Sequence, residues 1–270
     1  MAPSAEPTAE LSHLAKADGS ATFSYGGYAV IAAVNGPVEA QRRDENAFEA
    51  LVDVIVRPAA GVGGETPPTC FVARYQLLIH AATGTRERQL ESIMQAALRQ
   101  LIPVRDYPRC VIQITLQVAE TPENAYVNAK LVQAQLNLPI IPALLHTAIL
   151  GLLTAAIPLK TIGAATLLAI PEEEGKDIIV DPTAVDIDHA KSVHVLAFTS
   201  PDNLLLSESE GAFSPGEWAK VLELGQRICC EHQQPDFDTA MSGDDIESKS
   251  MRQFIRSAME TKVAEDLYWK

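Results

Sequence analysis

The sequence predicts an α+β fold, with strands in hairpin-connected groups and helices between the groups. A strand is clearest over 107–120, where every second residue from Cys110 to Val118 is apolar. A helix is clearest over 85–102, where apolar residues recur every three or four positions before a proline. Because the strands do not alternate strictly with helices, this order favours α+β over a wholly parallel α/β sheet.

The remaining elements follow from the same two periodicities and from turn residues. Gly26-Gly27 separates two short strands within 22–37, and Pro58 ends a half-buried strand at 48–58. Further strands are predicted at 163–170, 178–181, 193–199 and 204–211, and further core helices at 143–157 and 215–232.

Composition divides the chain into four segments. A flexible N-terminus is expected over 1–13, and a folded domain over 14–232. An acidic linker is expected over 233–248, which carries several Asp and Glu residues and no Lys or Arg. In the extension 249–270 apolar residues recur at helical spacing, which predicts a helix docked on the body or on a partner, with disorder as the alternative.

The chain is acidic, with 21 Lys and Arg against 35 Asp and Glu and a formal net charge of −14. This balance argues against sequence-independent binding of nucleic acid by the whole molecule, so any RNA contact must come from a local basic patch. Arg42, Arg43, Arg86 and Arg88 are expected to form the only sizeable basic patch, and pairing with the abundant Asp and Glu residues is the alternative. Arg86 lies near a helix start, where backbone amides also favour an anion, and a solvated helix start is the alternative.

Neither a membrane span nor a disulfide framework is predicted. The longest apolar stretch, 136–160, contains three prolines and a histidine, and its unbroken part is shorter than the ~20 residues that a bilayer requires. The four cysteines, Cys70, Cys110, Cys229 and Cys230, show no C-x-x-C spacing. Free thiols in a reducing compartment are therefore expected.

No cofactor and no metal are predicted from motif spacing, because phosphate-loop, dinucleotide, zinc-protease and serine-hydrolase patterns are absent from the sequence. His189 and His194 stand five apart and could bind a metal, although core or surface histidines are the favoured interpretation. Asp181, Asp186 and Asp188 follow a strand and could bind a divalent metal or act as a general acid. Turn chemistry in a solvated loop is the alternative, and spacing alone favours it.

Seven short segments, taken together and in order, resemble a known protein family, although each is a weak signal alone. In chain order they are ADGSA (17–21), AAVNGPVE (32–39), VDVIVRPAAG (52–61), TRERQLESIMQAALRQLI (85–102), YPRCVIQITLQV (107–118), AIPLK (156–160) and IIVDPTAVD (178–186). Together they resemble the RNase PH family and, within it, the ring subunits of the eukaryotic RNA exosome. The resemblance covers roughly residues 14–232.

The resemblance implies a duplicated fold of the ribosomal protein S5 domain-2 type and a place in a ring of six RNase PH-like subunits around an RNA channel. The implied partners are the other ring subunits, including a dimer partner resembling ribosomal RNA-processing protein 43, cap subunits with RNA-binding domains, exosome-associated nucleases and RNA. The implied locations are the nucleus and nucleolus, and also the cytoplasm. Active members of the family bind phosphate and shorten RNA from its 3′ end by phosphorolysis.

The sequence departs from the active members at the residues that the resemblance assigns to catalysis. Arg86 matches one arginine of a pair at the first helix, but Thr85 stands at the other position. The phosphate-holding loop should follow the strand at 107–120, yet residues 120–127, ETPENAYV, contain neither glycine nor arginine. In the acidic motif, Asp181 matches the family pattern and is followed by less acidic positions before Asp186, so the motif looks vestigial.

These departures predict a catalytically inactive ring subunit that supports 3′–5′ RNA processing and helps to guide RNA into the channel. An active phosphate-dependent 3′–5′ exoribonuclease is the alternative. A stand-alone nuclease using a metal at Asp181, Asp186 and Asp188 is a third possibility, from a different mechanistic class.

Overall fold

The chain folds into two compact units, Met1–Lys160 and Thr161–Lys270. The structure, a computed structural model, describes residues 7–43, 45–57, 85–122, 137–173, 177–200, 202–230 and 250–268. The sequence predicts one folded domain over 14–232, and the structure divides that range between the two units. Each unit contains one β-sheet with helices packed on it.

The sheet of the first unit has five strands in the order β1-β2-β3-β5-β4. These are β1 (Thr8–Leu11), β2 (Gly19–Tyr25), β3 (Tyr28–Glu39), β4 (Leu51–Arg57) and β5 (Cys110–Glu120). Neighbouring strands are antiparallel except β4 and β5, which are parallel. The predicted strands are therefore confirmed, and one parallel pair lies within an otherwise antiparallel sheet.

Strand β1 falls within the segment 1–13 for which the sequence predicts flexibility. It pairs antiparallel with β2, from Thr8 opposite Ser24 to Leu11 opposite Ala21. A strand of four residues carries too little periodicity to be recognised, and pairing with a neighbour supplies the backbone hydrogen bonds that order it.

The hairpin between β2 and β3 forms where Gly26-Gly27 predicts it. Both glycines have positive φ, 60° and 84°, which a two-residue hairpin of type I′ requires and side chains with a Cβ disfavour. The alternation in β5 is confirmed as well, because Ile112, Ile114 and Leu116 are fully buried on one face. This face carries the core of the first unit.

Two helices, α1 (Thr85–Leu101) and α2 (Asn137–Thr154), pack on that buried face. Helix α2 begins six residues before the predicted start at 143, and it includes Pro142. Its side chains are buried on all sides, among them His146, whose ring lies edge-on to Phe23 with centroids 5.4 Å apart. Burial lowers the pKa of His146 to about 3, which keeps the imidazole neutral in this apolar layer.

Helix α2 approaches the sheet closely because glycines stand at the points of contact. A Cβ on Gly19 would lie 2.3 Å from the backbone nitrogen of Ala155 and 2.5 Å from the carbonyl oxygen of Gly151. A Cβ on Gly151 would in turn meet the side chains of Val34 and Ala32 at 3.0 and 3.1 Å. The layer between helix and sheet therefore has no room for a methyl group at these positions.

The sheet of the second unit has four antiparallel strands in the order β7-β6-β8-β9. They are β6 (Gly163–Pro171), β7 (Ile179–Val180), β8 (Ala190–Thr199) and β9 (Leu204–Gly211). The helices are α3 (Ala184–Asp188), α4 (Pro215–Cys230) and α5 (Met251–Asp266). Helix α4 covers one face of the sheet, with a core that includes Leu168, Leu196, Phe198, Val221 and Cys229.

Helix α5 lies within the predicted extension 249–270 and docks on the second unit. Its Arg252 is buried, and Nη2 donates to the carbonyl oxygen of Thr199 at 2.6 Å and to Sγ of Cys230 at 3.4 Å. Asp202 lies 3.6 Å from the same guanidinium. The predicted linker 233–248 lies outside the described residues.

The structure describes three of the four cysteines and the apolar helix α2. Cys110, Cys229 and Cys230 are free thiols, and Cys70 lies outside the described residues. Within the described ranges, no helix is both long and apolar enough to span a membrane.

We expect Gly19→Ala to lower the free energy of unfolding by about 1–3 kcal/mol, the usual cost of overpacking a tight layer. The clash is with backbone atoms of α2, which cannot rotate away. Gly216→Ala in the first turn of α4 is the control, since no atom lies within 4 Å of the position that the added methyl group would take and alanine favours a helix. Chemical denaturation checks both, and an equal effect of the two changes would contradict the close approach of α2.

Candidate nucleic-acid interface

The four arginines predicted to bind RNA do not form one patch. Arg42 and Arg43 are exposed in the turn after β3, whereas Arg86 and Arg88 lie in the first turn of α1. The turn is at the end of the sheet where β4 begins, and the first turn of α1 is at the end where β4 finishes. Since β4 has seven residues, the two pairs are on the order of 20 Å apart.

Contacts at both ends of α1 establish this placement. Near its start, the carboxylate of Glu91 accepts a hydrogen bond of 3.1 Å from the Val56 N–H at the end of β4. Near its finish, Arg99 forms an ion pair with Glu49, two residues before β4. Helix α1 therefore runs antiparallel to β4, as a connection between the parallel strands β4 and β5 must. A role in RNA binding stays a prediction for each pair separately.

The end of the first unit that carries Arg42 and Arg43 also gathers arginines from a distant part of the sequence. The Ala40 N–H donates to the carbonyl oxygen of Arg109 at 2.9 Å, and the Arg109 N–H donates to the carbonyl oxygen of Asn46 at 3.0 Å. These bonds hold the turn after β3 against Arg109, just before β5. The exposed Arg105 follows Val104, whose carbonyl oxygen accepts from the Ala50 N–H at the start of β4.

Charge at this end is only partly compensated. Nε of Arg109 lies 3.2 Å from the carboxylate of Glu45, and Arg99 is paired with Glu49. In the part of the chain that the structure describes, Arg42, Arg43 and Arg105 have no ion pair. Exposed guanidinium groups of this kind can donate two hydrogen bonds to phosphate oxygens and read no base sequence. Sequence reasoning left Arg105 out of the patch because no local signal relates it to Arg42.

Asp186 of the acidic motif stabilises the start of helix α3. Thr183 is the N-cap of this helix, and Asp186 forms a capping box with it. Oδ2 of Asp186 accepts from the Thr183 N–H at 3.0 Å and from the Thr183 hydroxyl at 2.7 Å. These bonds, the hydroxyl first, hold the pKa of Asp186 below its usual value.

The other two carboxylates of the motif do not converge with Asp186 on a metal site. Asp181 follows β7 with a positive φ of 49°, and its N–H donates to the carbonyl oxygen of Leu167 at 3.0 Å. Asp188 is exposed in the last position of α3. Among the described residues, no three His, Cys, Asp or Glu side chains are grouped so as to hold a metal ion.

The two histidines of the motif analysis belong to separate hydrogen-bond systems. The exposed His189 ring contacts the carbonyl oxygen of Val185 at 2.8 Å through Nδ1. His194 is buried in β8, with Nε2 2.9 Å from the Ser192 hydroxyl and Nδ1 2.9 Å from the Ser209 hydroxyl. Burial lowers the pKa of His194. The structure thus favours one surface and one core histidine over a metal pair.

The residues predicted to replace the phosphate-holding loop are described only at their start. Strand β5 ends at Glu120, and residues 123–127 of the segment 120–127 lie outside the described residues. The side chains of Thr85 and Arg86 also lie outside the described set. For these positions the departure from the family pattern rests on the sequence.

The sequence is similar to a known protein family and to curated members of it. Residues 6–158 match RNase PH, described as the 3′ exoribonuclease family, domain 1. The chain is 34% identical over 229 residues to exosome complex component RRP46 of Saccharomyces cerevisiae, covering 83% of this chain and 90% of that protein. It is 27% identical over 215 residues to exosome complex component rrp46 of Schizosaccharomyces pombe, covering 78% of each.

A solved structure shares the fold. The crystal structure of rice (Oryza sativa) Rrp46 matches with a TM-score of 0.68 and 20% sequence identity, covering 94% of both chains. This likeness confirms the predicted RNase PH-like α+β fold.

We expect Thr183→Ala to weaken α3, because the capping box loses the Thr183 hydroxyl and such caps contribute about 1 kcal/mol. Native-state hydrogen exchange of the amides in α3 measures the loss of protection. Asp188→Asn is the control and should leave protection unchanged, since Asp188 takes no part in the capping box.

The same cap should weaken in acid. The folded-state pKa of Asp186 is depressed, so its contribution is complete above the unfolded pKa of about 4 and is lost as the pH falls through the lower folded value. Protection of α3 that stayed constant from pH 6 to pH 2 would contradict the assigned role of Asp186.

Proposed function

The chain belongs to the RNase PH family, and from that membership we propose that it is a structural subunit of an exosome core ring. In this role it supports 3′–5′ RNA processing and degradation without catalysing it. Its two fungal relatives are named exosome complex components, and the chain spans nearly all of the Saccharomyces protein, which supports extending the role to the whole chain.

The observation that carries the inactive role is the composition of residues 120–127. Phosphorolysis requires a phosphate anion bound next to a polyanionic RNA, and the family supplies glycine amides and an arginine for it at this place. The segment ETPENAYV supplies neither and adds two glutamates. Its negative charge would repel phosphate.

The usual energies of such contacts indicate how much the loss of this loop would cost. A charge-assisted hydrogen bond is worth roughly 1.5–3 kcal/mol in binding. Removing one donor to charge that develops in a transition state slows a reaction by about 100–1,000-fold. Replacement of a whole loop of donors therefore supports the inactive role, and so does the bonding of Asp186 in the acidic motif to Thr183.

Partners and location follow from the same proposal. The neighbours would be other RNase PH-like ring subunits, with a dimer partner resembling ribosomal RNA-processing protein 43, together with cap subunits and exosome-associated nucleases. RNA would pass through the ring channel. The subunit would act in the nucleus and nucleolus and also in the cytoplasm.

Guidance of RNA would come from the two separate arginine pairs. Arg42, Arg43 and Arg105 lie at the same end of the first unit and have no ion pair among the described residues. Backbone contacts of this kind are independent of base sequence and weaken as salt rises. The alternative function, an active phosphate-dependent exoribonuclease, is favoured by one observation, the arginine retained at position 86.

We expect the purified chain to leave a labelled RNA intact in phosphate buffer, because residues 120–127 lack donors for phosphate. Co-expressed with RNase PH-like subunits of its own organism, it should enter a ring, measured as the native mass of the complex. Processive shortening of the 3′ end by the isolated chain, lost in Arg86→Ala, would overturn the inactive role. Shortening with magnesium or manganese alone would instead support the metal-dependent nuclease.

The arginine pairs are tested inside the assembled ring by reversing their charge one pair at a time. Arg42→Glu with Arg43→Glu should weaken binding of single-stranded RNA and reduce the salt slope by about 0.7 for each phosphate that is no longer bound. Arg86→Glu with Arg88→Glu is the second arm, and Arg256→Glu on the exposed side of α5 is the control. Unchanged affinity and slope with impaired assembly would make these arginines subunit contacts instead.

A further inference from the structure

The described residues form two sheets with four edges, and three of these edges are closed to another strand. Strand β1 has four residues and β7 has two, which is too short for extended pairing. The outer edge of β4 is covered by side chains of α1: Nε2 of Gln95 donates to the carbonyl oxygen of Val52 at 2.7 Å. Glu91 accepts from the Val56 N–H four residues along the same edge.

Strand β9 is the exception. It has eight residues, most of them exposed, and no strand lies beyond it in the part of the chain that the structure describes. The Ala212 N–H donates to the carbonyl oxygen of Lys191, which sets the alternation of the ladder with β8. By that alternation the backbone groups of Glu208 and Glu210 bond to β8, whereas those of Ser207, Ser209 and Gly211 point away from the sheet.

We define the backbone N–H and C=O groups of Ser207, Ser209 and Gly211 as the outer edge of β9. Such a row is a template for an added strand, and native proteins rarely leave it open without a reason. The charge beside it selects the partner. Glu208 and Glu210 lie on one face of the strand, and neither has an ion pair within the described residues.

Two copies of this chain are poorly matched at this edge, because antiparallel pairing would bring glutamates towards glutamates. RNA is excluded by the same charge, since the phosphates would meet carboxylates. An extended protein segment with Lys or Arg at alternate positions suits both the unpaired backbone and the two carboxylates.

We propose that the outer edge of β9 binds such a basic strand from a neighbouring RNase PH-like subunit, extending the four-stranded sheet across the contact. The inference rests on the proposed function, since it names the surface through which the ring subunit joins a neighbour. Main-chain hydrogen bonds supply affinity, and Glu208 and Glu210 select the partner's register.

Ser207→Pro tests the edge directly. Proline removes the outward N–H and places its ring where the added strand would lie, while the bonds of Glu208 to β8 are kept. Ser207→Thr is the matched control, because threonine keeps the N–H and suits a strand. Circular dichroism and thermal unfolding of each isolated variant establish that the fold is retained.

With co-expressed RNase PH-like subunits as the probe, we expect Ser207→Pro to weaken assembly by about tenfold or more and Ser207→Thr to leave it unchanged. If Ser207→Pro does not fold, the double variant Glu208→Lys with Glu210→Lys takes its place and should weaken assembly similarly. If the Ser207→Pro chain folds and assembles with the same affinity as the unmodified chain, the outer edge of β9 is not the contact with the neighbouring subunit. Failure of the unmodified chain to assemble would overturn the proposed function and this inference with it.

Discussion

Parallel pairing of β4 with β5 determines where each candidate residue of the first unit lies. Two parallel neighbours cannot be joined by a tight turn, so the chain must return along the sheet, and α1 is part of that return. Residues at the start and at the finish of α1 are thereby carried to opposite ends of the sheet. Arg88 is separated from Arg43 for this reason, and Arg99 is brought to Glu49 for the same reason.

In the second unit, the residues that the sequence suggests as catalytic or metal-binding candidates form local hydrogen bonds. The carboxylate of Asp186 completes a cap with Thr183, and His194 lies between two serine hydroxyls under the rings of Phe213 and Trp218. Both groups therefore have hydrogen-bond partners within the second unit. The chain keeps the fold of the family, and these polar groups stabilise local structure. Both observations are consistent with the proposed role in assembly.

The proposed assembly would also explain why the sheet edges differ. Glu91 and Gln95 close one edge with side chains that are four residues apart on α1. Strand β9 contains two glutamates, and within the described ranges no strand pairs with its outer edge. A charged edge resists self-association and still accepts a partner of opposite charge. The acidic net charge of the chain is compatible with specific contacts to proteins and with RNA contacts confined to local groups of exposed arginines.

By itself the sequence determined the elements that depend on near neighbours along the chain. The alternation in β5, the hairpin at Gly26-Gly27 and the helical spacing before Pro103 depend on interactions a few residues long, and all three are present. Tertiary structure alone decided that β1 is ordered by pairing with β2 and that Arg109 bonds to Ala40 in the segment after β3. The first outcome depends on backbone pairing between two strands, and the second on contact between segments that are distant in sequence. No periodicity within a single segment encodes either of them.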